Sequence, residues 1–339
     1  MILDLPRNSC FYALGRTNTF RAGSSAILDT WGTNLQNIEK SVRKIYVPDS
    51  GKKFLQCDQS GAEALIVAYL TKPGKFRDLF INGIKPHVYV ALHMFAKEWK
   101  SKDPSLDIDG ALKLEPKDLR SHPQWKSIDK LIKSSDDWSA DERYYYLAKQ
   151  TCHSSNYGIR GPTFRVNVLT KSDGKIALTL DQANYFLSFY RQMFPEIPEW
   201  NQETSEIVRK TKILRNLFGH PRQFTSNPNT SSFDQEAIAF VPQSTVGIIT
   251  HRAFRNLQVF IEQNKLAWDL LANTHDSYLV QCPLSDELEC GKKMKEFMEQ
   301  ELVGRGGVKF RMKSEVQSGF NWGPYKKGYN EEGLKELNV

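Results

Sequence analysis

The chain lacks the features that mark secreted and membrane-spanning proteins. Its five cysteines form no Cys-x-x-Cys pair, and Cys57 and Cys282 lie in apolar, strand-like runs where a buried thiol is common. No apolar run approaches the roughly 20 residues needed to cross a bilayer, and the start "MILDLPRNSC" lacks the basic-then-apolar order of a signal peptide. These absences indicate a protein of a reducing compartment, expected in the cytoplasm and without a membrane partner.

Acidic residues are outnumbered by basic ones, 39 to 46, which gives a net charge of +7. With 40% hydrophobic and 25% charged residues, the composition is that of an ordinary globular protein, and 339 residues suit about two domains. The positive surplus suits a polyanionic partner such as nucleic acid. Basic residues cluster at 40–53, 72–77, 113–133 and 209–222, although each cluster alone is typical of a solvated face.

The pattern of elements predicts an α+β fold. In "KKFLQCDQSGAEALIVAYLT" an apolar strand changes to a helix at Ser60 and Gly61, so Asp58 lies at the end of the strand. His275 and Asp276 lie between two short apolar strands, as the turn of a hairpin. A further helix is predicted from an N-cap at Ser139 to Gly158, and others at Leu180–Met193, Glu199–Thr211, 235–263 and Ser285–Val303. Residues 213–224 are predicted to form a hairpin. The first 50 residues indicate loops, and residues 97–138 indicate an irregular insertion.

Two carboxylates are candidates for a metal site. If the strands that end at Asp58 and Asp276 pair in one sheet, their carboxylates meet. Mg²⁺ prefers octahedral oxygen ligands and keeps substrate oxygens in its shell, and two such ions support in-line phosphoryl transfer. The alternative for Asp276 is that it only forms the turn, which is a common role of aspartate.

A helical stripe offers the complementary charge. Lys149, His153 and Tyr157 recur every four residues and therefore share one helix face. The lysine would contact a triphosphate, and the two rings would contact base and sugar. The alternative is a helix packed through Tyr157, with Lys149 at the surface.

Five segments in order carry a family resemblance: "NLQNI" (34–38), "DQSGAEALIVAYL" (58–70), "AKQTCHSSNYG" (148–158), "FVPQST" (240–245) and "HDS" (275–277). This set resembles the palm and fingers of family A DNA polymerases, especially phage enzymes, from about Leu14 to about Tyr325. Asp58 and Glu63 match motif A of the family, Lys149 and Tyr157 match motif B, and "HDS" matches motif C.

The resemblance implies a role for each matched residue. Asp58 and Asp276 would hold two Mg²⁺ ions, and Lys149 would neutralise the incoming triphosphate. Glu63 would be a steric gate against the 2′-hydroxyl, and His87 would contact a phosphate. Tyr157 would lie near the templating base, His153 beside the sugar and His275 near the primer 3′ end. Gln243 and Arg21 would contact the minor-groove side of primer-template DNA.

The sequence departs from the family pattern in three ways. Tyr145 stands where the family usually has an arginine four residues before Lys149; Arg143, Arg160 or Arg165 are the nearby candidates to replace it. His153 replaces the usual Phe or Tyr beside the sugar. The residues before Arg21 leave no room for the thumb and proofreading exonuclease, so we expect a second polypeptide to supply them.

The resemblance therefore predicts a DNA-directed DNA polymerase core that acts on primer-template DNA and dNTPs, in the cytoplasm of a phage-infected bacterial cell. Residues 1–70 would form an N-terminal palm segment, 71–232 a mostly helical fingers subdomain and 233–339 a C-terminal palm segment, with an antiparallel sheet in the palm. Two alternatives remain open: a single-subunit RNA polymerase or primase, against which Glu63 and "HDS" argue, and a catalytically silent DNA-binding or scaffold subunit, against which Asp58, Asp276 and Lys149 argue.

Overall fold

A computed structural model of the 339-residue chain describes residues 11–13, 17, 19, 21, 23–25, 34–134 and 143–339. The chain divides into two compact units, and each contains stretches that are distant in sequence. Unit 1 comprises residues 1–63, 215–222 and 240–339, and unit 2 comprises residues 64–214 and 223–239.

Strands dominate the part of unit 1 that carries the predicted carboxylates. The strands of the described residues are β1 (Phe11–Ala13), β2 (Gly23–Ser25), β3 (Lys52–Gln59), β4 (Ile213–Arg215), β5 (Pro221–Gln223), β6 (Asp269–Asn273), β7 (Ser277–Pro283), β8 (Glu301–Val303), β9 (Lys309–Arg311), β10 (Ser314–Gly319) and β11 (Lys335–Glu336). Five of them form one antiparallel sheet in the order β11–β10–β3–β7–β6. The others pair as β1–β2, β4–β5 and β8–β9.

Helices make up most of unit 2. The α-helices of the described residues are α1 (Ala62–Leu70), α2 (Lys75–Ile81), α3 (Pro86–Met94), α4 (Ala96–Lys102), α5 (Ile108–Leu112), α6 (Pro116–Leu119), α7 (Trp125–Ser134), α8 (Tyr144–Asn156), α9 (Gly161–Lys171), α10 (Leu180–Met193), α11 (Glu196–Thr211), α12 (Ser231–Asn264) and α13 (Glu287–Met298). The combination of an antiparallel sheet with a helical unit confirms the α+β prediction.

The central strands β3 and β7 bury apolar side chains on one face of the sheet. Leu55 and Cys57 of β3 pair with Val280 and Tyr278 of β7, and all four side chains are fully buried. Helix α13 packs on this part of the sheet and accepts a hydrogen bond from the Tyr278 hydroxyl. As predicted, the thiols of Cys57 and Cys282 are buried. The two strands thus form a rigid support for whatever lies at their ends.

Aromatic side chains fill the core of unit 2. Helix α3 is buried along most of its length and packs against α8. The Tyr190 hydroxyl of α10 donates a 2.7 Å hydrogen bond to Asn156 Oδ1 at the end of α8, which pairs two buried polar side chains of this core. Both ends of α10 lie where the sequence placed them.

The region 97–138 differs from its prediction as an irregular insertion, since its described part is helical in α4 to α7. Each of these short helices buries an apolar side chain in the core of unit 2, among them Trp99, Ile108, Leu119 and Trp125. Burial against neighbouring helices therefore outweighs the local turn signals, as tertiary packing commonly does.

Three smaller differences concern segment ends. The predicted helix Ser285–Val303 spans only Glu287–Met298, because Leu302 pairs with Phe310 and both are buried in a β8–β9 hairpin. Helix α11 starts at Glu196 and not at Glu199, and strands β1 and β2 pair within the region predicted as loops. The predicted N-cap at Ser139 lies outside the described residues. No helix among the described residues is long and apolar enough to span a membrane.

Candidate active site

Strand pairing brings Asp58 and Asp276 together in unit 1. Asp58 lies opposite Ser277 in the β3–β7 ladder, and the backbone N–H of Gln59 donates a 3.0 Å hydrogen bond to the carbonyl of Asp276. Gly61, at φ +59°, lets the chain turn from β3 into α1, so Asp58 is the second-to-last residue of the strand. The two aspartates are therefore neighbours at one end of the sheet.

Burial raises the pKa of both aspartates in the metal-free protein. Burial raises the pKa of Asp58 to about 7, and the nearby Asp276 and Glu315 carboxylates add to the effect. Glu315 lies directly opposite Asp58 on β10. Burial also raises the pKa of Asp276, whose side chain reaches solvent although protein atoms surround much of it. Both shifts are caused mainly by burial, which penalises the charged carboxylates, and a bound cation would favour the charged forms.

The donor chemistry of this pair fits a hard divalent cation. Carboxylate oxygens are the ligands that Mg²⁺ prefers, and deprotonation of two adjacent carboxylates becomes favourable once a cation binds. No group of three or more His, Cys, Asp or Glu suited to a metal is found among the described residues. The chain itself thus offers the two aspartates as the candidate ligands.

Helix α12 donates a hydrogen bond to the turn that holds Asp276. His275 has a left-handed backbone with φ +72°, which is uncommon for a residue other than glycine. Its N–H donates to Asn273 Oδ1 at 3.2 Å, and its carbonyl accepts a hydrogen bond from Thr250 at 3.1 Å. Gln59 in turn donates to the Thr250 hydroxyl at 2.6 Å. This chain of hydrogen bonds ties the turn to both β3 and α12.

Arg21 and Glu63 form an ion pair beside the aspartates. An Arg21 guanidinium nitrogen donates to Glu63 Oε1, and both side chains are about one-fifth exposed. Arg21 also acts electrostatically on His275, whose pKa is lowered by burial and by this positive charge. The structure therefore gathers four residues that the sequence selected, namely Arg21, Glu63, His275 and Asp276, around the end of β3. Gln243 also belongs to unit 1 and lies half-buried on α12 after Pro242.

The residues of the predicted stripe lie in unit 2, Lys149 and His153 on α8 and Tyr157 directly after its last residue. Lys149 and His153 are exposed, whereas Tyr157 is only 6% exposed. The His153 and Tyr157 rings contact edge to face, with 5.2 Å between centroids. Gly158, at φ +65°, follows the helix as the sequence predicted. Tyr157 thus belongs to the packed core while it supports the exposed His153 ring.

His87 lies in the first turn of α3, beside α8. Its ring packs edge to face on Tyr145, with 5.0 Å between centroids. Burial lowers the pKa of His87 to about 3, and the positive charges of Lys149, Lys85 and Lys133 lower it further. The imidazole is therefore neutral at physiological pH.

Several residues near these sites were not predicted from the sequence. The charges of Lys85 and Lys133 act on His87, Glu315 lies opposite Asp58, and Thr250 donates a hydrogen bond to the motif C turn. None of them belongs to a short motif, and their proximity depends on tertiary packing. Two of the arginines considered for motif B lie directly before helices: Arg143 precedes α8 and Arg160 precedes α9. The pKa of Arg191 is lowered mainly by burial and also by the positive charge of Arg160.

Comparisons with known proteins agree with these observations. The family model described as DNA polymerase family A matches residues 130–324, which is more than half of the chain. The chain is 20% identical over 300 residues to DNA polymerase I of Caldicellulosiruptor bescii, and 21% identical over 304 residues to DNA polymerase I of Borreliella burgdorferi. These alignments cover 85% and 86% of this chain but only 29% and 28% of the relatives.

A phage protein and a solved structure are also similar. The DNA polymerase of Bacillus phage SP01 is 25% identical over 132 residues, which is 37% of this chain and 14% of the phage protein. The POL domain of Pol1 from M. smegmatis, solved in complex with DNA primer-template and dNTP, superposes with a TM-score of 0.67 at 17% identity. That superposition covers 92% of this chain and 47% of the other, and it establishes the fold. On the extent of the family match, this chain belongs to DNA polymerase family A.

Proposed function

We propose that the chain is a template-directed DNA polymerase core that adds deoxynucleotides to the 3′ end of a DNA primer. The observation that carries this proposal is the meeting of Asp58 and Asp276 on paired strands, with raised pKa values that suit cation binding. The relatives named DNA polymerase I support the same activity, although this chain spans less than a third of their length.

Asp58 and Asp276 would hold two Mg²⁺ ions through their carboxylate oxygens. Bound Mg²⁺ supplies charge stabilisation for phosphoryl transfer and lowers the pKa of a hydroxyl nucleophile. The protein's part is to keep the two carboxylates at fixed positions, which the β3–β7 pairing and the hydrogen bonds through Thr250 achieve. His275 would lie near the primer 3′ end, and Gln243 would contact the primer-template.

Glu63 would act as the steric gate that excludes a 2′-hydroxyl. Its carboxylate is held by Arg21, so the side chain has one preferred position. We therefore propose that Arg21 positions Glu63, in addition to the DNA contact that the sequence predicted for it. Selection for dNTPs would then depend on both residues.

Unit 2 would bind the nucleotide through its cationic and aromatic side chains. Lys149 and His87 would contact the triphosphate, while Tyr157 and His153 would lie near the templating base and the sugar. In this proposal unit 1 corresponds to the palm and unit 2 to the fingers, and the divisions 1–70, 71–232 and 233–339 stay a prediction. The second polypeptide expected from the sequence also stays a prediction. A phage relative supports an origin in a phage-infected bacterial cell.

A primer-extension assay tests the proposal against its alternatives. The purified chain should extend a DNA primer with dNTPs in Mg²⁺, and EDTA should stop the reaction. Extension with rNTPs in preference to dNTPs, or synthesis without a primer, would instead support the RNA polymerase or primase. DNA binding without synthesis under any condition would support the silent scaffold subunit.

A further inference from the structure

Three lysines from separate elements of unit 2 converge on His87. Lys85 directly precedes α3, Lys133 lies in the last turn of α7, and Lys149 lies on α8. Helix α3 contacts both α7 and α8, which also contact each other. Tyr145, one turn before Lys149 on α8, contacts the His87 ring, and the positive charge of each of the three lysines acts on the His87 imidazole.

All three lysines are exposed to solvent and can reach a ligand. Neither Lys85 nor Lys149 forms an ion pair with any residue of the described parts of the chain. Lys133 is paired with Asp129 one turn earlier at 2.5 Å. A surface pair of this kind is weak, so it does not prevent Lys133 from binding a more highly charged anion.

His87 adds neutral hydrogen-bonding groups to this positive cluster. Within the described residues, its ring has no hydrogen-bond partner, and its side chain is half-buried beside Tyr145. At the start of α3, Pro86 has no N–H, and the N–H groups of Val88 and Tyr89 donate to the Lys85 carbonyl. The backbone N–H of His87 has no acceptor among the described residues. A helix start with a free N–H favours an anion.

From this convergence we infer that Lys85 and Lys133 complete, with Lys149 and His87, a binding site for the triphosphate of the incoming nucleotide. Three like charges around one imidazole repel one another, and a compact polyanion relieves that repulsion. Lys85 and Lys133 thereby supply positive charge from α3 and α7 beside α8, where Tyr145, and not an arginine, stands four residues before Lys149. The inference rests on the proposed function for the identity of the ligand.

A triphosphate is favoured over a nucleic-acid backbone by the compactness of the cluster. The three lysines belong to mutually packed elements and each acts on the same imidazole, which suits a ligand whose charges lie within a few bonds of each other. A DNA strand spaces its charges several ångströms apart and is bound by cations spread along a groove.

Calorimetric titration of the full chain with inorganic tripolyphosphate tests the site. EDTA is present, so that binding does not depend on a metal at Asp58 and Asp276. We expect Lys133→Ala and Lys85→Ala each to weaken tripolyphosphate binding by about tenfold, the loss typical of one charged hydrogen-bonding partner.

Two matched controls separate this role from a structural one. Lys126→Ala removes an exposed lysine from the same face of α7 about 10 Å away, and should leave affinity unchanged. Asp129→Asn breaks the same ion pair as Lys133→Ala but keeps the ammonium, and should not weaken binding. Equal losses in Lys133→Ala and Asp129→Asn would show that helix integrity is responsible, and would overturn the inference.

The outcomes also distinguish this inference from the proposed function. A chain that binds tripolyphosphate through Lys133 but does not extend primers would refute the polymerase activity and leave the site in place. A chain that extends primers with the same KM for dNTP in wild type, Lys133→Ala and Lys85→Ala would overturn the site alone. Loss of affinity for a single-stranded oligonucleotide, with unchanged tripolyphosphate binding, would also overturn it in favour of a DNA-backbone surface.

Discussion

At the scale of single residues, the candidate site places carboxylates close together, which disfavours their charged forms in the metal-free protein. Asp58 lies beside Asp276 and opposite Glu315, and its pKa is raised to about 7 by burial and by these charges. Perturbed pKa values of this kind cluster at functional sites. The raised pKa therefore links folding, pH and cation binding at one side chain.

This link predicts how stability depends on pH in the metal-free protein. The pKa of Asp58 rises from 3.8 to about 7 on folding, so the folded state keeps a proton that the unfolded state has lost. The contribution of Asp58 to the free energy of unfolding is therefore fully present below pH 4 and is lost as the pH rises through about 7. Asp58→Asn should be more stable than wild type at pH 8 in EDTA, on the order of 2 kcal/mol.

Thermal unfolding at several pH values measures this effect. The difference in Tm between Asp58→Asn and wild type should shrink as the pH falls toward 4, and Mg²⁺ at pH 8 should raise the Tm of wild type more than that of the variant. Asp173→Asn, at an exposed left-handed position that asparagine accepts, should show no such trend. A Tm difference that does not change with pH would contradict the assigned environment of Asp58.

A second prediction at this scale concerns the Arg21–Glu63 pair. Glu63→Ala should admit ribonucleotides, because it opens space beside the sugar C2′. Arg21→Ala should do so more weakly, since it frees a carboxylate that remains present. The measurement is the ratio of kcat/KM for dNTP and rNTP in each variant, with Arg311→Ala at an exposed position of β9 as a control. Unchanged discrimination in Glu63→Ala would place the gate elsewhere.

At the scale of elements, the hairpin β6–β7 depends on α12 for its position. Gln59, Thr250 and the His275 carbonyl form a continuous hydrogen-bond chain under the turn. Because His275 has a left-handed backbone, the turn is held in a conformation that costs free energy without such support.

Thr250→Val should therefore destabilise the protein by about 1–3 kcal/mol, because it leaves buried polar partners unpaired. It should also reduce primer extension beyond what the loss of stability explains, since Asp276 follows the supported carbonyl. Urea unfolding and single-turnover extension measure the two effects. Thr170→Val, at an exposed position of α9, should change the free energy of unfolding by less than about 0.5 kcal/mol. Normal extension by Thr250→Val would show that the turn does not need this support.

The sequence predicted elements best where one local pattern was sufficient. The change from strand to helix at Ser60 and Gly61 placed Asp58 correctly, and the ends of α10 were correct at both residues. The helices between 96 and 134 were missed because several have only four to seven residues, too few to show a helical period. Their formation depends on the burial of side chains such as Trp99 and Leu119, which is a tertiary effect.

At the scale of the whole molecule, the candidate site residues divide between two units. The aspartates and Glu63 belong to unit 1, whereas Lys149, His87 and the aromatic stripe belong to unit 2. The family resemblance identified these residues as site candidates because they lie in motifs that occur in a fixed order. It could not select Lys85 and Lys133, because the packing of α3, α7 and α8 brings them near His87 and no short sequence spacing encodes that packing.

The most direct test of the central claim is incorporation of a single nucleotide on four primer-templates that differ only in the first templating base. In Mg²⁺, the wild-type chain should add the complementary dNMP on each template. Asp58→Asn and Asp276→Asn should add none while their affinity for the same DNA stays within about tenfold, because these changes remove metal ligands and not phosphate contacts. Near-normal addition by either variant, or addition that ignores the templating base, would contradict the account.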